Sequence, residues 1–149
     1  MRAERPDALA IRGGTDVMVS LNFDRVRPPA ILDLGEVAEL GGWARESGEL
    51  RLGAGLTYAE AMTGEIAGHL PALAEAARTV GSPQIRNRGT IGGNLGTASP
   101  AGDALPPLLV EEAEVELASV GGVRRMPRGH RRNLSAHRHG AVLLSPDVQ

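Results

Sequence analysis

The chain has 149 residues, enough for one domain that buries roughly 70% of its unfolded surface and too few for two ordinary domains. It contains no cysteine, which excludes disulfides, a catalytic thiol and an iron–sulfur cluster held by this chain alone. The net charge of −2 says little about partners, but no apolar run approaches the roughly 20 residues of a membrane span and the N-terminus lacks the apolar stretch of a signal peptide, so a cytoplasmic protein is predicted.

The first predicted elements surround a glycine turn. Residues 8–11 are a short apolar run that predicts a strand, and Gly13-Gly14 predicts a turn into a helix, with Thr15 or Asp16 as the N-cap. Residues 30–34 predict a second, buried strand. Glycines between a strand and a helix let backbone N–H groups approach a phosphate closely. The same turn is also common without any ligand, so this motif alone leaves both interpretations open.

A hairpin and two helices are predicted next. Residues 43–52 predict a β-hairpin around a Ser-Gly turn. Thr57 and Glu60 have the spacing of a capping box and predict a helix start. Residues 70–80 are rich in alanine, with apolar residues at helical spacing, and predict a helix. We interpret His69, just before this helix, as a surface residue rather than a metal ligand.

Residues 81–107 are dense in Gly, Pro, Asn and Ser and predict one long loop, of the kind that is usually functional or disordered. Within it, Gly92-Gly93-Asn94 repeats the logic of the first turn, with donors from backbone and side chain. Three hydroxyls suit phosphate or ribose oxygens, those of Thr90, Thr97 and Ser99. Asp103 either accepts hydrogen bonds from ribose hydroxyls or caps a short helix after it.

Two strands and a basic tail follow. Residues 113–118 and 123–126 predict strands joined at a Gly-Gly turn, and the mixture of short helices and hairpins predicts the α+β class. We predict a domain over residues 1–127 and a tail over residues 128–149 that is disordered or derived from a frameshift, because the composition becomes rich in Arg and His. A nucleic-acid-binding arm is the alternative, and the absence of interleaved aromatic residues disfavours it.

Several nucleotide-binding classes are disfavoured by missing motifs. There is no GxxxxGK[ST] segment and no lysine, since all 16 basic residues are arginine. No GxGxxG follows a strand, which disfavours a Rossmann site. No pattern indicates a catalytic triad or a metal cage. Two phosphate-type segments without a Walker motif favour a dinucleotide over a nucleoside triphosphate.

A resemblance then becomes specific. The motifs that carry it are Gly13-Gly14-Thr15-Asp16, Gln84-Ile85-Arg86-Asn87, Thr90-Ile91-Gly92-Gly93-Asn94, Ala98-Ser99-Pro100 and Asp103. Together they resemble the FAD-binding subunit of the molybdenum hydroxylases, a family that includes carbon monoxide dehydrogenase medium subunits and the central domain of xanthine dehydrogenase. The similarity runs from about Ala8 to Met126. It implies the α+β FAD-binding fold of the PCMH type, shared with vanillyl-alcohol-oxidase-like flavoproteins and here incomplete.

The resemblance also implies a cofactor, partners and site residues. FAD would carry the chemistry, so no catalytic residue and no metal ligand are expected in the chain. An iron–sulfur subunit and a molybdenum-cofactor subunit would be its partners, passing electrons to the flavin. Arg86 and Asn87 would brace the loop. The residues expected around the diphosphate and the sugar are Gly13, Gly14, Thr15, Asp16, Val17, Thr90, Gly92, Gly93, Asn94, Ser99 and Asp103.

Three functions remain open on the sequence. The first is an electron-transferring FAD component. The second is a truncated remnant with little or no flavin binding, acting at most as an interaction module, because the chain starts close to the first glycine turn and the family pattern breaks off near residue 127. The third is an interaction protein without flavin, in which the glycines only form turns.

Overall fold

The computed structural model describes residue 5 and residues 7–46, 48–119, 121–126 and 141–145, the last segment by its backbone. A single turn of 3₁₀ helix over Ala38–Leu40 accompanies the regular elements. In chain order these are β1 (Leu9–Ile11), α1 (Thr15–Asn22), β2 (Ile31–Asp33), β3 (Trp43–Glu46), β4 (Glu49–Leu52), α2 (Tyr58–Ala61), α3 (Gly64–His69), α4 (Pro71–Thr79), α5 (Pro83–Arg88), α6 (Ile91–Thr97), α7 (Leu105–Val110), β5 (Glu114–Ser119), β6 (Gly122–Met126) and β7 (Ala141–Ser145).

The first three elements form a βαβ unit. Strands β1 and β2 run parallel, with Leu9 opposite Ile31, in a two-stranded sheet of their own. The prediction of a buried second strand is wrong, since Ile31 is 51% exposed. It is exposed because, in the described part of the chain, β2 pairs with β1 alone and lies outside the main sheet. Helix α1 buries none of its residues.

The main sheet is antiparallel and has the order β3-β4-β7-β5-β6. Both predicted hairpins are confirmed, one turning between Glu46 and Glu49 and the other between Ser119 and Gly122. Glu116 on β5 accepts ion-pair contacts from arginines on both sides, Arg51 of β4 at 3.3 Å and Arg125 of β6 at 2.8 Å.

Strand β7 lies between β4 and β5. It belongs to the segment that the sequence predicts to be a disordered tail, so that segment contributes one strand to the sheet. The other residues of the predicted tail, 128–140 and 146–149, lie outside the described residues. The domain boundary at residue 127 and the frameshift origin stay predictions.

The core lies between the main sheet and the helices that connect β4 to β5. Its most deeply buried large side chains are those of Leu50, Leu52, Leu56, Leu70, Leu73 and Ile91. The predicted capping box starts α2: the Thr57 hydroxyl accepts from the Glu60 N–H at 3.2 Å, and the Glu60 carboxylate accepts from the Thr57 N–H at 2.7 Å. The predicted helix over residues 70–80 is confirmed as α4, which Pro71 begins.

The prediction of one long loop over residues 81–107 is wrong, because helices α5, α6 and α7 occupy most of it. Their low intrinsic propensity is offset by N-caps at Ser82 and Thr90 and by burial of Ile91 and Leu95. Asp103 does not cap the helix after it, because Ala104 occupies that position.

The N-cap assignment at α1 is also corrected. Gly14 holds the N-cap position with φ +80°, and neither Thr15 nor Asp16 supplies a capping side chain. A left-handed residue was required there, which glycine adopts at little cost. No helix in the described part of the chain is long and apolar enough to cross a bilayer.

Candidate functional site

A cleft of about 1170 Å³ lies between the β1–α1 turn and the segment from α5 to α7. Its volume slightly exceeds the range of roughly 300–1,000 Å³ that is usual for cofactor sites. All the site residues named from the sequence line this one cleft, although two stretches separated by more than 70 residues supply them: Gly13, Gly14, Thr15, Asp16, Val17, Thr90, Gly92, Gly93, Asn94, Ser99 and Asp103.

The first glycine segment, around residues 13–17, and the second glycine segment, around residues 88–97, meet at Gly13. A Cβ atom added to Gly13 would lie 2.2 Å from the carbonyl oxygen of Arg88 and 3.3 Å from the Cα of Gly89. Only glycine therefore allows this backbone contact. Arg88 strengthens the junction, since its Nη2 donates to the Arg12 carbonyl at 3.2 Å.

The first segment presents unused backbone donors. Within the described residues, no acceptor is found for the N–H groups of residues 13–17. The first N–H groups of any helix lack intrahelical partners, and a glycine N-cap has no side chain to satisfy them. A row of such donors with the positive end of α1 is a cradle for an anion.

The second segment differs, and one part of the sequence prediction is corrected here. The backbone N–H groups of residues 91–94 already donate within the protein: Ile91 to the Leu56 carbonyl at 2.9 Å, Gly92 to the Ala54 carbonyl at 2.8 Å, Gly93 to the Thr90 hydroxyl at 3.0 Å and Asn94 to the Thr90 carbonyl at 3.0 Å. These N–H groups are therefore not donors for a ligand.

The glycines of the second segment permit close packing and close approach. A Cβ atom on Gly92 would lie 2.5 Å from the Ala54 carbonyl oxygen, so Gly92 is needed for contact between α6 and the chain before α2. Gly93 is exposed, and a Cβ atom there would meet only the Thr90 hydroxyl, at 2.8 Å. Gly93 therefore leaves the cleft surface open at the backbone.

A side-chain hydrogen bond also joins the two segments. The Thr97 hydroxyl at the end of α6 donates to the Asp16 carboxylate in the first turn of α1 at 2.8 Å. The sequence predicts that the Thr97 hydroxyl suits phosphate or ribose oxygens, whereas in the structure this hydroxyl donates to Asp16.

The two arginines that line the cleft have other partners. Arg12 donates to the carbonyl oxygens of Leu34, Gly35 and Val37 and so ties β1 to the turn after β2. Arg27 pairs with Asp24. Among the described residues, the cleft therefore offers backbone amides rather than an available guanidinium to an anion.

Tyr58 is a cleft residue that no sequence motif indicates. It is 4% exposed, and its backbone N–H donates to the Gly89 carbonyl at 3.1 Å, which places the ring beside the second segment. Burial, followed by the charges of Asp103 and Asp16, raises the pKa of the Tyr58 hydroxyl, while hydrogen bonding with Asn94 lowers this pKa. Tyr58 therefore stays a neutral hydroxyl.

The cleft is also lined by three polar residues that follow Gly93 in the chain: Asn94, Ser99 and Asp103. The Oδ1 atom of Asn94 is buried and has no hydrogen-bond partner among the described residues. Ser99 forms a turn, with its hydroxyl accepting from Ala101 N–H at 3.2 Å and its carbonyl from Gly102 N–H at 3.0 Å. This turn presents the half-buried Asp103 to the cleft.

Arg86 braces the entrance to α5, as expected: its Nη1 donates to the carbonyl oxygens of Val80 at 2.9 Å and Gly81 at 3.0 Å. His69 lies outside the cleft, where its ring is edge-to-face with Trp43 at 5.8 Å between centroids. The described residues contain no cluster of three or more side chains that could hold a metal ion.

Comparisons with known proteins place this cleft in context. Residues 1–133 match the family model described as "FAD binding domain in molybdopterin dehydrogenase". The xanthine dehydrogenase FAD-binding subunit of Escherichia coli is 39% identical over 127 residues, which is 84% of this chain and 44% of that protein. The nicotinate dehydrogenase FAD-subunit of Eubacterium barkeri is 41% identical over 117 residues, 78% of this chain and 40% of that protein.

A solved structure has the same fold. The crystal structure of quinoline 2-oxidoreductase from Pseudomonas putida 86 superposes with a TM-score of 0.88 at 29% sequence identity, covering 99% of this chain and 54% of that chain. The chain thus spans less than half the length of the curated relatives it matches and about half of this structural neighbour.

Proposed function

This chain belongs to the family of FAD binding domains in molybdopterin dehydrogenases, and from this premise we propose that it is the FAD-binding, electron-transferring component of a molybdenum-containing hydroxylase or dehydrogenase. The resemblance recognised in the glycine motifs is confirmed by the family match. FAD, the cofactor expected from the sequence, is the group that the family is described as binding.

The rest of the assembly belongs to the proposal, because the chain spans only part of its relatives. We propose an iron–sulfur subunit and a molybdenum-cofactor subunit as its partners. The PCMH-type fold shared with vanillyl-alcohol-oxidase-like flavoproteins and the cytoplasmic location also stay predictions. The mixed helix and strand content of the α+β class is observed.

The observation that carries the proposal is the row of N–H groups over residues 13–17 that have no acceptor among the described residues, in a cleft that also contains the second glycine segment. A dinucleotide has two features that this cleft suits. Its diphosphate needs several donors in a row, and its sugar hydroxyls need acceptors.

The residues present fit FAD. The Gly14 turn leaves a cradle of amides that requires an acceptor. The Oδ1 atom of Asn94 is buried without a donor from the described part of the chain, and a ligand hydroxyl would satisfy it. Because the fit includes both donors for an anion and acceptors for hydroxyls, it suits a nucleotide better than a simple anion.

The two sides of the cleft would contact different parts of FAD. The N–H groups of residues 13–17 would hold the diphosphate, and Gly93 would let it approach the backbone of α6. The side chains of Asn94, Ser99 and Asp103 would hold sugar hydroxyls, with Thr90 keeping α6 in place through its cap. When bound, FAD supplies the electron transfer that no side chain of the chain provides.

The experiment that tests the function is an absorption spectrum of the purified chain after dialysis, followed by titration with FAD. A flavin spectrum that stays with the protein, or saturable binding on titration, is the expected result. A folded chain that takes up no FAD would favour the remnant function instead, and would contradict the proposal for this polypeptide.

An Asp103→Ala variant is expected to weaken FAD binding by about 1–3 kcal/mol, roughly 5-fold to 150-fold in the dissociation constant. The physical reason is the loss of an acceptor for ribose hydroxyls at a half-buried position of the cleft. Fluorescence titration with FAD measures this change.

The thermal midpoint of the apo chain is the control for Asp103→Ala. Ala104, not Asp103, holds the N-cap of α7, so the midpoint should stay within about 2 °C of wild type. A large loss of stability with unchanged FAD affinity would assign Asp103 to the fold instead.

A further inference from the structure

Asp16 is the one carboxylate in the first turn of α1, directly beside the amides proposed to hold the diphosphate. The family motif predicts that Asp16 is one of the cofactor-binding residues. Its side chain already has a partner, however, because its Oδ2 accepts from the Thr97 hydroxyl at 2.8 Å. The backbone N–H of Asp16 remains a donor for the ligand, whereas its carboxylate serves another purpose.

The Asp16–Thr97 contact is a long-range one. It joins residues 81 positions apart, the start of α1 and the end of α6. The junction of Gly13 with Arg88 lies nearer the other end of the same pair of segments. One contact would leave the two segments free to rotate relative to each other, whereas two separate contacts fix their relative orientation. The Asp16–Thr97 hydrogen bond therefore helps to hold the backbone N–H groups of residues 13–17, the amide row, in place.

The charge of Asp16 acts on the cleft as well. Burial raises the pKa of the Tyr58 hydroxyl most, and the negative charges of Asp103 and then Asp16, which line the same cleft, raise it further. Among the described residues, neither cleft arginine pairs with Asp16, because Arg12 donates to backbone carbonyl oxygens and Arg27 pairs with Asp24. A dianionic diphosphate held by uncharged amides is therefore repelled by a nearby carboxylate.

We propose that Asp16 is a positioning residue whose carboxylate orients the α1 amide row through Thr97 and whose negative charge weakens diphosphate binding. This inference rests on the proposed FAD function. The Asp16 side chain would thus have two opposite effects on FAD binding. Its hydrogen bond with Thr97 favours binding, and its negative charge opposes binding.

The decisive variant is Asp16→Asn, which keeps an acceptor for Thr97 and removes the charge. We expect it to bind FAD roughly threefold to tenfold more tightly than wild type at low ionic strength. The gain should shrink at about 0.5 M salt, because screening removes the repulsion from wild type as well. Glu65→Gln is the matched control, since it makes the same change in the first turn of α3, outside the cleft, and should leave FAD affinity unchanged.

Thr97→Val tests the positioning role, because it removes the hydroxyl and keeps the branched shape and the Asp16 charge. We expect FAD binding to weaken roughly threefold to tenfold, and Thr97→Ser, which keeps the hydroxyl, to restore it. Weaker binding by Asp16→Asn would overturn the inference and show that the carboxylate contacts the cofactor directly. Unchanged binding by Thr97→Val would also overturn it.

A measurement without flavin separates this inference from the proposed function. Thermal midpoints of apo Asp16→Ala, Thr97→Val and the double variant form a cycle, and we expect the double variant to lose little more than either single variant. Additive losses would show that the two side chains do not act together and would overturn the positioning role. If wild type binds no FAD, the proposed function and the charge effect fail, and the cycle still decides the positioning role.

Discussion

A Gly93→Val variant is expected to fold and to lose FAD. Gly93 is exposed on α6 and lines the cleft opposite the amide row, and its backbone forms part of the cleft surface. A valine side chain would occupy the space through which the diphosphate approaches. The expected dissociation constant is at least about 100-fold higher than that of wild type, since a blocked site loses most of its contacts at once.

The fold should survive this change, because a Cβ atom on Gly93 meets nothing but the Thr90 hydroxyl. Disturbance of the Thr90 cap costs about 1 kcal/mol, and valine regains a few tenths through higher helix propensity than glycine. Flavin titration and circular dichroism of the same sample measure the two effects. Gly68→Val is the control, an exposed helical glycine of α3 outside the cleft with no neighbour within 4 Å. Retention of FAD by Gly93→Val would refute the assignment of α6 to the site.

A Gly13→Ala variant is expected to destabilise the fold itself. The added methyl group would lie 2.2 Å from the Arg88 carbonyl oxygen, which is backbone and cannot turn aside. Overpacking against backbone costs about 3 kcal/mol or more, so the thermal midpoint should fall by about 10 °C. FAD binding should weaken with it, because the glycine segments would separate.

Thermal unfolding of the apo chain measures the effect of Gly13→Ala. Gly96→Ala is the matched control, since nothing lies within 4 Å of a Cβ atom there and alanine in a helix is favoured over glycine by about 0.5–1 kcal/mol. The control should therefore be as stable as wild type or slightly more stable. An unchanged midpoint for Gly13→Ala would mean that the contact between Gly13 and Arg88 is not formed.

Local patterns predicted those parts of the fold that short-range chemistry determines. The hairpin over residues 43–52 and the capping box at Thr57 depend on neighbours in sequence, and both are observed. The segment after Gly81 was misread because its glycines and prolines suggest turns. Two signals could have corrected this: Ser82 before Pro83, and Thr90 before Ile91, are both common at helix starts.

In the candidate site, too, local motifs were predictive and long-range contacts were not. Motif recognition selected residues that the structure brings to one cleft, because those motifs carry the family's local geometry. The sequence could not predict which backbone N–H groups remain available to a ligand. In α6, the N–H groups of Ile91 and Gly92 donate to the carbonyl oxygens of Leu56 and Ala54, which are far away in the sequence. Tyr58 illustrates the same limit. The capping box of Thr57 and Glu60 predicts only that a helix starts at Tyr58, and no local pattern predicts that the Tyr58 ring lies beside Gly89.

The poor burial of α1 and β2 has a kinetic consequence. Units with few buried side chains open with a smaller free energy than the core, and their backbone amides exchange hydrogen with water sooner. The amides of residues 13–17 belong to such a unit, whereas the opposite wall rests on the buried Ile91. We therefore expect local opening of α1 and β2 to release a cofactor held between the two walls, while the main sheet stays intact. Residence time on the protein would then be governed by this local opening rather than by global unfolding.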